Sequence, residues 1–590
     1  MAEGKLKIHS ENILPIIKKW LYSDKDIFVR ELISNACDAI YKYSYLNKES
    51  KEEYRIDLKI DKKKKTLTFS DNGIGMTAEE VEKYIAQIAF SGAEEFVKKY
   101  QSNKEGDQVI GHFGLGFYSS YMVAKLVEIQ TKSDEGKAVL WRCDGSTTYT
   151  IEEGERKIRG TEITLFLMDE EEEFLESYRL RQILDRYCTF LPHPIYLDDQ
   201  RINDKEPLWL KAPSDCTDKE YLDFYKKLFP MEVPPLFWIH LNIDYPFNLK
   251  GILYFPKISQ ESDLKKEAIR LYCNRVFVSD NCKDLLPDYL MILRGAIDSS
   301  DIPLNVSRSH LQMDRTVKQL GTHISKKISD RLTSLYNSER EKFLSYWEDI
   351  EIIIKFGILQ DEKFYERSKQ FLIWKNNKDE WTTIEEYLER HQDQNVYYAP
   401  ADKSHLFDLY KEREVLIVRQ APIDSAIMQF LERKTKAQFK RIDSHLDETI
   451  LDPSKEKKLL DAEGKTESGK IADLFRKKLD MEVEAKSLSS TALPALLMMK
   501  EEERRMRDQM AYHNKEMSHV FMKPTLVVNT NSKLINAIYG MDKKDPQLAE
   551  EMVKQIYDLA CLSQREMAPE KLSAFVERST EILEKLMNKH

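Results

Sequence analysis

Glycine is scarce in this chain of 590 residues, at 19 positions, yet two short segments each contain it repeatedly. The first is Asp71-Asn-Gly-Ile-Gly75, which follows two segments that alternate like a β-hairpin, Tyr54–Ile60 and Thr66–Ser70. The second is Gly111-His-Phe-Gly-Leu-Gly-Phe117, called the glycine loop below. Because residues without a side chain let the backbone approach a ligand closely, these segments constrain the fold more than any other feature.

The first segment has the chemistry needed to bind a flat base. Asp71, at the end of a strand, can accept a hydrogen bond from an exocyclic amine such as adenine N6, and Gly75 leaves room for the ring. The glycine loop has the order GxxGxG, the reverse of the dinucleotide fingerprint, and no strongly apolar strand precedes it, so a nicotinamide site is excluded. Its glycines open a predicted helix, Phe117–Val123, and can present N–H groups to phosphates.

Residues Asp26–Tyr43 are predicted to form a helix, because apolar residues recur there at three- and four-residue steps. Glu31, Asn35 and Asp38 lie on the other side of this helix, and steps of four and three residues keep them on one stripe. Taken alone, such a stripe indicates a solvated helix face. Its place ahead of the two glycine segments indicates part of a nucleotide site instead.

A fourth pattern, Arg159-Gly-Thr-Glu-Ile-Thr-Leu165, places Thr161 before an alternating strand, where its hydroxyl can reach a buried carboxylate. The four patterns in this order resemble the ATP-binding fold shared by the ninety-kilodalton heat-shock chaperones, type II topoisomerases, mismatch-repair ATPases and histidine kinases. The chaperone branch is specifically resembled by four stretches: Arg30–Ala39, Ile110–Ser119, Arg275–Asp280 and Arg294–Gln312. The chain is thus similar to the bacterial-type ninety-kilodalton heat-shock chaperones.

The resemblance implies an α+β multidomain fold. A GHKL- or Bergerat-type α/β sandwich ATPase domain is expected at residues 1–200, an α/β middle domain at 207–432, and a mainly helical dimerisation domain at 440–590. The breaks between them are predicted at the Pro-rich run 191–207 and in the highly charged segment 433–470.

Local patterns add detail to the two later domains. Strands are predicted at Leu249–Phe255 and Val276–Val278, with helical segments after them up to the apolar run Val415–Val418 and a helix around Ile427. Near the end of the chain, Leu548–Cys561 and Pro569–Met587 have apolar residues at helical spacing. Two amphipathic helices at a chain end indicate a self-association surface, and we expect a homodimer.

The resemblance also implies roles for individual residues. Glu31 would orient and polarise the water that attacks the γ-phosphate, and Asn35 would bind Mg²⁺ through its amide oxygen. Asp71 would bind the adenine amine, Gly75 would permit the close approach, and Thr161 would hold Asp71 through a water. The other residues expected at the ATP site are Asp38, as a support behind the first set, and Met76, Gly111, His112, Phe113, Gly114, Leu115, Gly116 and Phe117.

Arg308 and Gln312 belong to the predicted middle domain, and the resemblance implies that they act in catalysis. Arg308 would reach across to the γ-phosphate like the cationic fingers of other phosphoryl-transfer enzymes, with Gln312 beside it. Hydrolysis would then require the first two domains to dock. The alternative for Arg308 is a structural ion pair.

Two positions depart from the family pattern. Phe90 stands in place of a lysine that lies near the nucleotide, and Tyr84 stands where Asn or His is often found. These departures leave open a second function, a holdase that is switched by nucleotide with negligible turnover.

The function that the resemblance implies is an ATP-dependent homodimeric chaperone, which clamps and remodels non-native client proteins with ATP and Mg²⁺ and has other chaperones as further partners. A DNA-transaction ATPase of the same nucleotide fold is the alternative from another class. The formal charge of -10 and the middle-domain motif argue against it, so no nucleic acid is expected as a partner. A histidine kinase is disfavoured because no helical phosphoacceptor histidine precedes the nucleotide domain.

The seven cysteines include no CxxC pair, which indicates reduced thiols. The longest apolar stretch, Ala492–Met499, is too short to cross a bilayer, so we expect a cytoplasmic protein without membrane contact. For client binding, the candidates are the Met-rich stretch Ala492–Met510 and Trp209. Ordinary helical core is the alternative interpretation of that stretch.

Overall fold

The computed structural model divides into two compact units, residues 1–331 and 332–590. It describes residues 24–87, 90, 110–111, 114–203, 206–258, 268–280, 282, 285–302, 315–401, 406–419, 421–444, 446–452, 454, 466–513, 524–564 and 566–587.

The first unit combines four helices with thirteen strands among its described residues. The helices are α1 (Ile27–Leu46), α2 (Ala78–Tyr84), α3 (Ser177–Tyr187) and α4 (Asp218–Leu228). The strands are β1 (Ile56–Asp61), β2 (Thr66–Asp71), β3 (Ala124–Lys132), β4 (Val139–Cys143), β5 (Thr150–Glu153), β6 (Gly160–Leu167), β7 (Ile195–Leu197), β8 (Gln200–Arg201), β9 (Phe237–Ile243), β10 (Leu249–Phe255), β11 (Ala268–Cys273), β12 (Val276–Ser279) and β13 (Arg294–Asp298). A further helix, α5 (Arg315–Ser338), contains the boundary between the units.

The strands of the first unit form two sheets. The first sheet has the order β5-β4-β3-β6-β2-β1-β7-β8, and its pairs are antiparallel except for β1 with β7. The second sheet has the order β12-β11-β13-β10-β9. In the hairpin of β1 and β2, Ile56 is opposite Asp71, so the strand pair ends where the base-binding carboxylate is predicted.

Helix α1 packs its apolar side into the core of the first sheet. Phe28, Leu32 and Ile40 are at most 2% exposed, and the Phe28 ring meets Phe69 of β2 edge-on at 6.2 Å. Burial of this apolar surface, at about 25 cal/mol per Å², is what attaches the helix to the sheet. The predicted helix is confirmed, together with the hairpin that follows it.

An aromatic cluster joins the two sheets of the first unit. Trp209 is fully buried and contacts Phe190 at 4.8 Å and Tyr272 of β11 at 5.2 Å between ring centroids. Tyr187, at the end of α3, meets Phe277 of β12 at 5.7 Å. The suggestion that Trp209 contacts clients is therefore wrong, because its side chain lies inside this cluster and its indole N–H is bonded to the Asp298 carboxylate.

The second unit contains helices α6 (Arg340–Gln360), α7 (Glu362–Ser368), α8 (Ile384–Arg390), α9 (Ala421–Lys434), α10 (Glu467–Leu479), α11 (Glu501–His513), α12 (Lys533–Met541), α13 (Pro546–Ser563) and α14 (Leu572–Met587). Its strands are β14 (Trp374–Asn376), β15 (Trp381–Thr382), β16 (Asn395–Pro400), β17 (Val415–Val418), β18 (Gln438–Arg441), β19 (Val483–Lys486), β20 (Ala495–Met498) and β21 (Thr525–Asn529). They form a five-stranded sheet of order β15-β14-β17-β16-β18 and a three-stranded sheet of order β19-β21-β20.

The Met-rich stretch Ala492–Met510 is not continuous helical core. Leu496 and Met498 lie in β20, paired with β21 and buried, and only after them does α11 begin. Leu497 and Met499 are also buried, so they are unavailable to a client, whereas Met506 of α11 is 52% exposed. A four-residue apolar run between turns is ambiguous between strand and helix, which explains the error.

The charged segment 433–470 contains regular structure in its described residues 433–444. Strand β18 lies within it and pairs in parallel with β16, and Phe439 in this strand is buried. A strand of four residues with one apolar side chain, Phe439, gives little signal among the surrounding lysines.

Two further predictions can be compared with the structure. None of the seven cysteines, all of them among the described residues, forms a disulfide, as the spacing indicated. Among the described residues, no helix combines the length and apolarity that a membrane span requires.

Candidate nucleotide site

The site is built around Asp71, the last residue of β2. Its side chain is 8% exposed, and Oδ1 accepts a hydrogen bond from the Gly73 N–H at 2.8 Å. The chain then crosses α1 directly, because a Cβ on Gly73 would lie 2.5 Å from the Ala39 carbonyl carbon. The Ile74 N–H donates to the Ala39 carbonyl at 3.0 Å. The predicted base-binding segment therefore packs against α1, the helix that carries the predicted stripe of Glu31, Asn35 and Asp38.

Burial raises the pKa of Asp71 from 3.8 to about 6. The Gly73 and Thr161 backbone N–H groups, which donate to the carboxylate, and the charges of Arg156 and Arg159 oppose this rise in pKa without cancelling it. A buried carboxylate with spare acceptor capacity is costly to the free protein and suited to a ligand that brings its own donor.

Gly75 and its neighbours form the floor beside Asp71. Gly75 has a φ of +66°, and a Cβ there would lie 2.0 Å from the Lys132 carbonyl oxygen, so no other residue fits. The Met76 N–H donates to Thr131 Oγ1 at 2.9 Å, and Thr131 Oγ1 lies 3.0 Å from Thr161 Oγ1. Thr131, fully buried on β3, was missed from the sequence, where it is one threonine among several in alternating strands.

Glu31 lies on α1 in a buried ion pair. Its Oε1 accepts from Arg30 Nε at 3.1 Å and from Arg30 Nη2 at 2.8 Å, and both residues are almost fully buried. The Arg30 guanidinium also lies 5.7 Å from the centroid of the Tyr187 ring. Arg30 is the second residue that sequence reasoning missed, since neighbours in a helix do not normally face each other.

The glycine loop contacts Glu31 at its far end. A Cβ on Gly116 would lie 2.3 Å from Glu31 Oε2, so only glycine allows the loop to come this close. Gly116–Met122 is a 3-10 helix, where an α-helix over Phe117–Val123 was predicted, and Leu115 precedes it. The Phe117 ring is buried against Trp141 of β4 at 5.8 Å.

The other two residues of the stripe differ in exposure. Asn35 is exposed, although its neighbours on α1 are buried, so its amide is open to a ligand. Asp38 is buried, and its carboxylate accepts hydrogen bonds from the N–H groups of Ile110 and Gly111, where the glycine loop begins. The structure thus brings Glu31, Asn35, Asp38, Asp71, Gly75, Met76 and Thr161 together around α1 with Gly111 and Gly114–Phe117.

The two departures from the family pattern contact each other. The rings of Tyr84 and Phe90 stack at 6.0 Å, with Lys83 Nζ 5.2 and 5.3 Å from their centroids. A Cβ on Gly114 would lie 2.4 Å from the Phe90 carbonyl oxygen, so the Phe90 backbone lies against the glycine loop.

Four predicted site residues, His112, Phe113, Arg308 and Gln312, lie outside the described residues. Within the described part of the chain, no group of three or more His, Cys, Asp or Glu side chains could hold a metal ion by itself. The exposed Asn35 amide oxygen is a hard ligand of the type that Mg²⁺ prefers, and a Mg²⁺ ion held there would need phosphate oxygens and water to complete its shell.

This fold and site define a nucleotide-binding α/β sandwich. Residues 23–169 match the family model described as "Histidine kinase-, DNA gyrase B-, and HSP90-like ATPase", and residues 196–590 match the model described as "Hsp90 protein". The chain therefore belongs to the HSP90 family of molecular chaperones.

Three relatives illustrate the extent of the similarity. The "Chaperone protein HtpG" of Bacteroides thetaiotaomicron is 42% identical over 583 residues, which cover 91% of this chain and 84% of the relative. The protein of that name from Porphyromonas gingivalis W83 is 40% identical, covering 93% and 86%. That of Geobacter metallireducens is 31% identical, covering 95% of each chain.

Proposed function

We propose that this chain is a homodimeric ATPase that clamps and remodels non-native proteins and uses ATP hydrolysis to drive the cycle. The observation that carries the proposal is the spacing of contacts along α1. Ala39 lies under the base-binding segment and Glu31 lies against the glycine loop. Eight residues of α-helix span about 12 Å, which suits a ligand with a base at one end and a terminal phosphate at the other.

The residues at each end have separate tasks. Asp71 accepts the hydrogen bond from the adenine amine, and Gly75 admits the ring. Arg30 holds Oε1 of Glu31, so that Oε2, on the side of Gly116, is the oxygen available to orient and deprotonate the attacking water. The backbone N–H groups from Gly114 to Phe117 in the glycine loop bind the phosphates.

Asn35 would hold the magnesium ion through its amide oxygen. Mg²⁺, when bound, neutralises the charge that develops on the phosphates. The Asn35 side chain lies one helical turn after Glu31 and is exposed between buried neighbours, so its oxygen can share the ion with the nucleotide.

Dimerisation is proposed for the last two helices. Leu572, Val576, Leu583 and Met587 of α14 are 46% to 77% exposed, and at 100° per residue they fall within about 60° of one another. Leu559 and Leu562 of α13 are exposed as well. An apolar stripe of this kind is typical of a surface that is covered by a partner, and a second copy supplies the same stripe.

Coupling of hydrolysis to clamping would depend on Arg308 and Gln312, whose roles remain predictions. Clients would be bound through surfaces that adapt to several shapes, for which the exposed Met506 is a candidate.

Steady-state phosphate release with Mg²⁺ and ATP tests the proposal. Glu31→Ala is expected to lower turnover by about 10² to 10⁴-fold while ATP still binds in calorimetry. Glu53→Ala, an exposed glutamate in the same unit, is the control and should keep full turnover. Equal turnover in the two variants would remove Glu31 from the mechanism.

The same assay separates the alternative holdase. If wild-type protein binds ATP and prevents aggregation of a chemically unfolded protein without measurable phosphate release, the nucleotide acts as a switch alone. If release is measurable and stops with Asp71→Asn, the ATPase chaperone stands. Stimulation of release by duplex DNA would favour the DNA-transaction ATPase instead.

A further inference from the structure

Asp38 makes a two-pronged contact with the backbone at the start of the glycine loop. Its Oδ1 accepts from the Ile110 N–H at 2.7 Å, and its Oδ2 accepts from the Gly111 N–H at 2.6 Å. The side chain is 5% exposed, so water does not compete for these bonds. Hydrogen bonds to a charged acceptor are about twice as strong as neutral ones, and two from one carboxylate fix direction as well as distance.

The same loop meets α1 a second time, at Gly116 beside Glu31 Oε2. Glu31 and Asp38 are seven residues apart, which is two helical turns or about 10.5 Å. One rigid helix therefore contacts the loop near both of its ends. The loop is thus bonded to α1 at its start through Asp38 and lies against Glu31 near its end.

These contacts also divide the amides of the loop into two groups. The N–H groups of Ile110 and Gly111 point to Asp38 and are not available to a ligand. The amides that can meet a phosphate are those further along, from Gly114 to Phe117, where the 3-10 helix begins. A carboxylate that faced the phosphates would repel them, whereas this one is screened by the two amides it binds.

We propose that Asp38 is a positioning residue: it anchors the start of the glycine loop to α1 and so places the later amides for the β- and γ-phosphates, without touching the nucleotide. The inference rests on the proposed function for its nucleotide readout. The anchor itself is a property of the free protein and can be measured without any nucleotide.

The test compares Asp38→Asn with wild type and with Asp61→Asn. Asparagine keeps one acceptor but turns an NH₂ group toward the second amide, which breaks the two-pronged contact. Asp61 is a matched control, because its Oδ1 also accepts from two successive backbone N–H groups, those of Lys63 and Lys64 at 3.0 Å, in a hairpin turn of the same unit. Adenosine and ATP affinities are measured by calorimetry, and turnover by phosphate release.

Asp38→Asn is expected to bind adenosine within about twofold of wild type and ATP about tenfold more weakly, with lower turnover. A merely structural defect would weaken both ligands together. Amide hydrogen exchange in nucleotide-free protein should show Ile110 and Gly111 protected in wild type and in Asp61→Asn, and fast in Asp38→Asn.

Three results would overturn the inference. ATP affinity and turnover could remain at wild-type values in Asp38→Asn, the two amides could exchange fast in wild type, or ATP could bind more tightly to the variant because Asp38 competes with phosphate. If Asp38→Asn does not fold, Asp38→Glu replaces it and should show intermediate ATP affinity with unchanged adenosine affinity. A wild-type protein that binds no ATP would remove the proposed function, and the exchange result would still decide the anchor.

Discussion

The candidate nucleotide site and helix α14 differ in which side chains they bury and which they expose. Around α1, charged and polar groups are buried: Asp71, Asp38 and Glu31 are each at most 8% exposed and are held by hydrogen bonds or an ion pair. On α14, apolar side chains are exposed, with Leu583 at 62% and Met587 at 77%. Each arrangement costs free energy in the isolated chain.

The difference indicates what kind of partner each region requires. A buried carboxylate with spare acceptor capacity is completed by a small ligand that carries donors, whereas an apolar stripe is completed by another apolar surface. If this comparison is right, a substitution in one region should leave the other function intact. Substitutions made in each region test that independence.

The largest effect is expected from charge in the apolar stripe. The double variant Val576→Asp, Leu583→Asp places two unpaired carboxylates in the proposed interface, so the dimer should dissociate more than about 10³-fold more readily. Sedimentation velocity measures this, and ATP affinity should stay unchanged. Ala574→Asp, on the opposite side of α14, is the control and should remain dimeric. A double variant that stays dimeric would move the interface elsewhere.

The second prediction concerns stability and pH. Because the folded-state pKa of Asp71 is about 6 and its ordinary value is 3.8, the folded protein binds this proton more tightly than the unfolded chain. The stability that this group supplies is therefore full below about pH 4 and is lost as pH rises through 6. The Asp71→Asn side chain cannot ionise. The free energy of unfolding of the nucleotide-free variant should therefore exceed that of the wild type by up to about 3 kcal/mol at pH 7.5.

Thermal unfolding followed across pH 4 to 8 checks this. The gain in stability from Asp71→Asn should shrink toward pH 4, where the Asp71 carboxyl of the folded wild type is neutral. An advantage that is constant with pH would mean that burial of the charge is not its cause. Asp57 lies on β1, next to β2, in a partly exposed ion pair with Arg55. Asp57→Asn is therefore expected to show no such gain in stability.

The third prediction is the loss of nucleotide binding in that same stabilised variant. Removing a charged acceptor should weaken ATP and adenosine alike by about 10 to 100-fold, since the lost hydrogen bond is to the base. Calorimetry measures both ligands, and sedimentation should find the dimer intact. A variant that binds adenosine normally would show that Asp71 does not recognise the base.

The smallest effect is expected at Thr131. Thr131→Val keeps the shape but leaves the Met76 N–H and the Thr161 hydroxyl without this partner, so ATP should bind about tenfold more weakly. Thr68→Val is the matched control, because its hydroxyl also bonds to a threonine across the same sheet, Thr164 at 3.2 Å. Equal affinities in the two variants would exclude Thr131 from the site.

Much of the nucleotide site could be predicted because its parts carry local signals. Helix α1 followed from apolar spacing, and Asp71 followed from a hairpin that ends in glycines. Thr131 and Arg30 could not be found this way. Their importance comes from pairings across the sheet or within one helical turn that no spacing in the sequence records.

The two wrong interpretations, of Ala492–Met510 and of Trp209, have a different cause. In both, tertiary packing overrides what the local sequence pattern indicates. The alternative interpretation of Ala492–Met510 as helical core fails at Leu496 and Met498, because pairing with β21 makes them part of a strand. The prediction that Trp209 contacts clients fails because the fold brings Phe190 and Tyr272 around it. Burial that depends on partners far along the chain is not visible in a short window of sequence.

The cluster around Trp209 has a practical consequence for dissecting this protein. A fragment that ends at residue 200 would lack Trp209, Tyr272 and Phe277. The rings of Phe190 and Tyr187, which these residues cover, would then be exposed to solvent as an apolar surface. Recombinant fragments that end at residue 200 should aggregate, whereas fragments that continue past β13 should remain soluble. The smallest fragment that keeps this cluster buried therefore includes both sheets of the first unit.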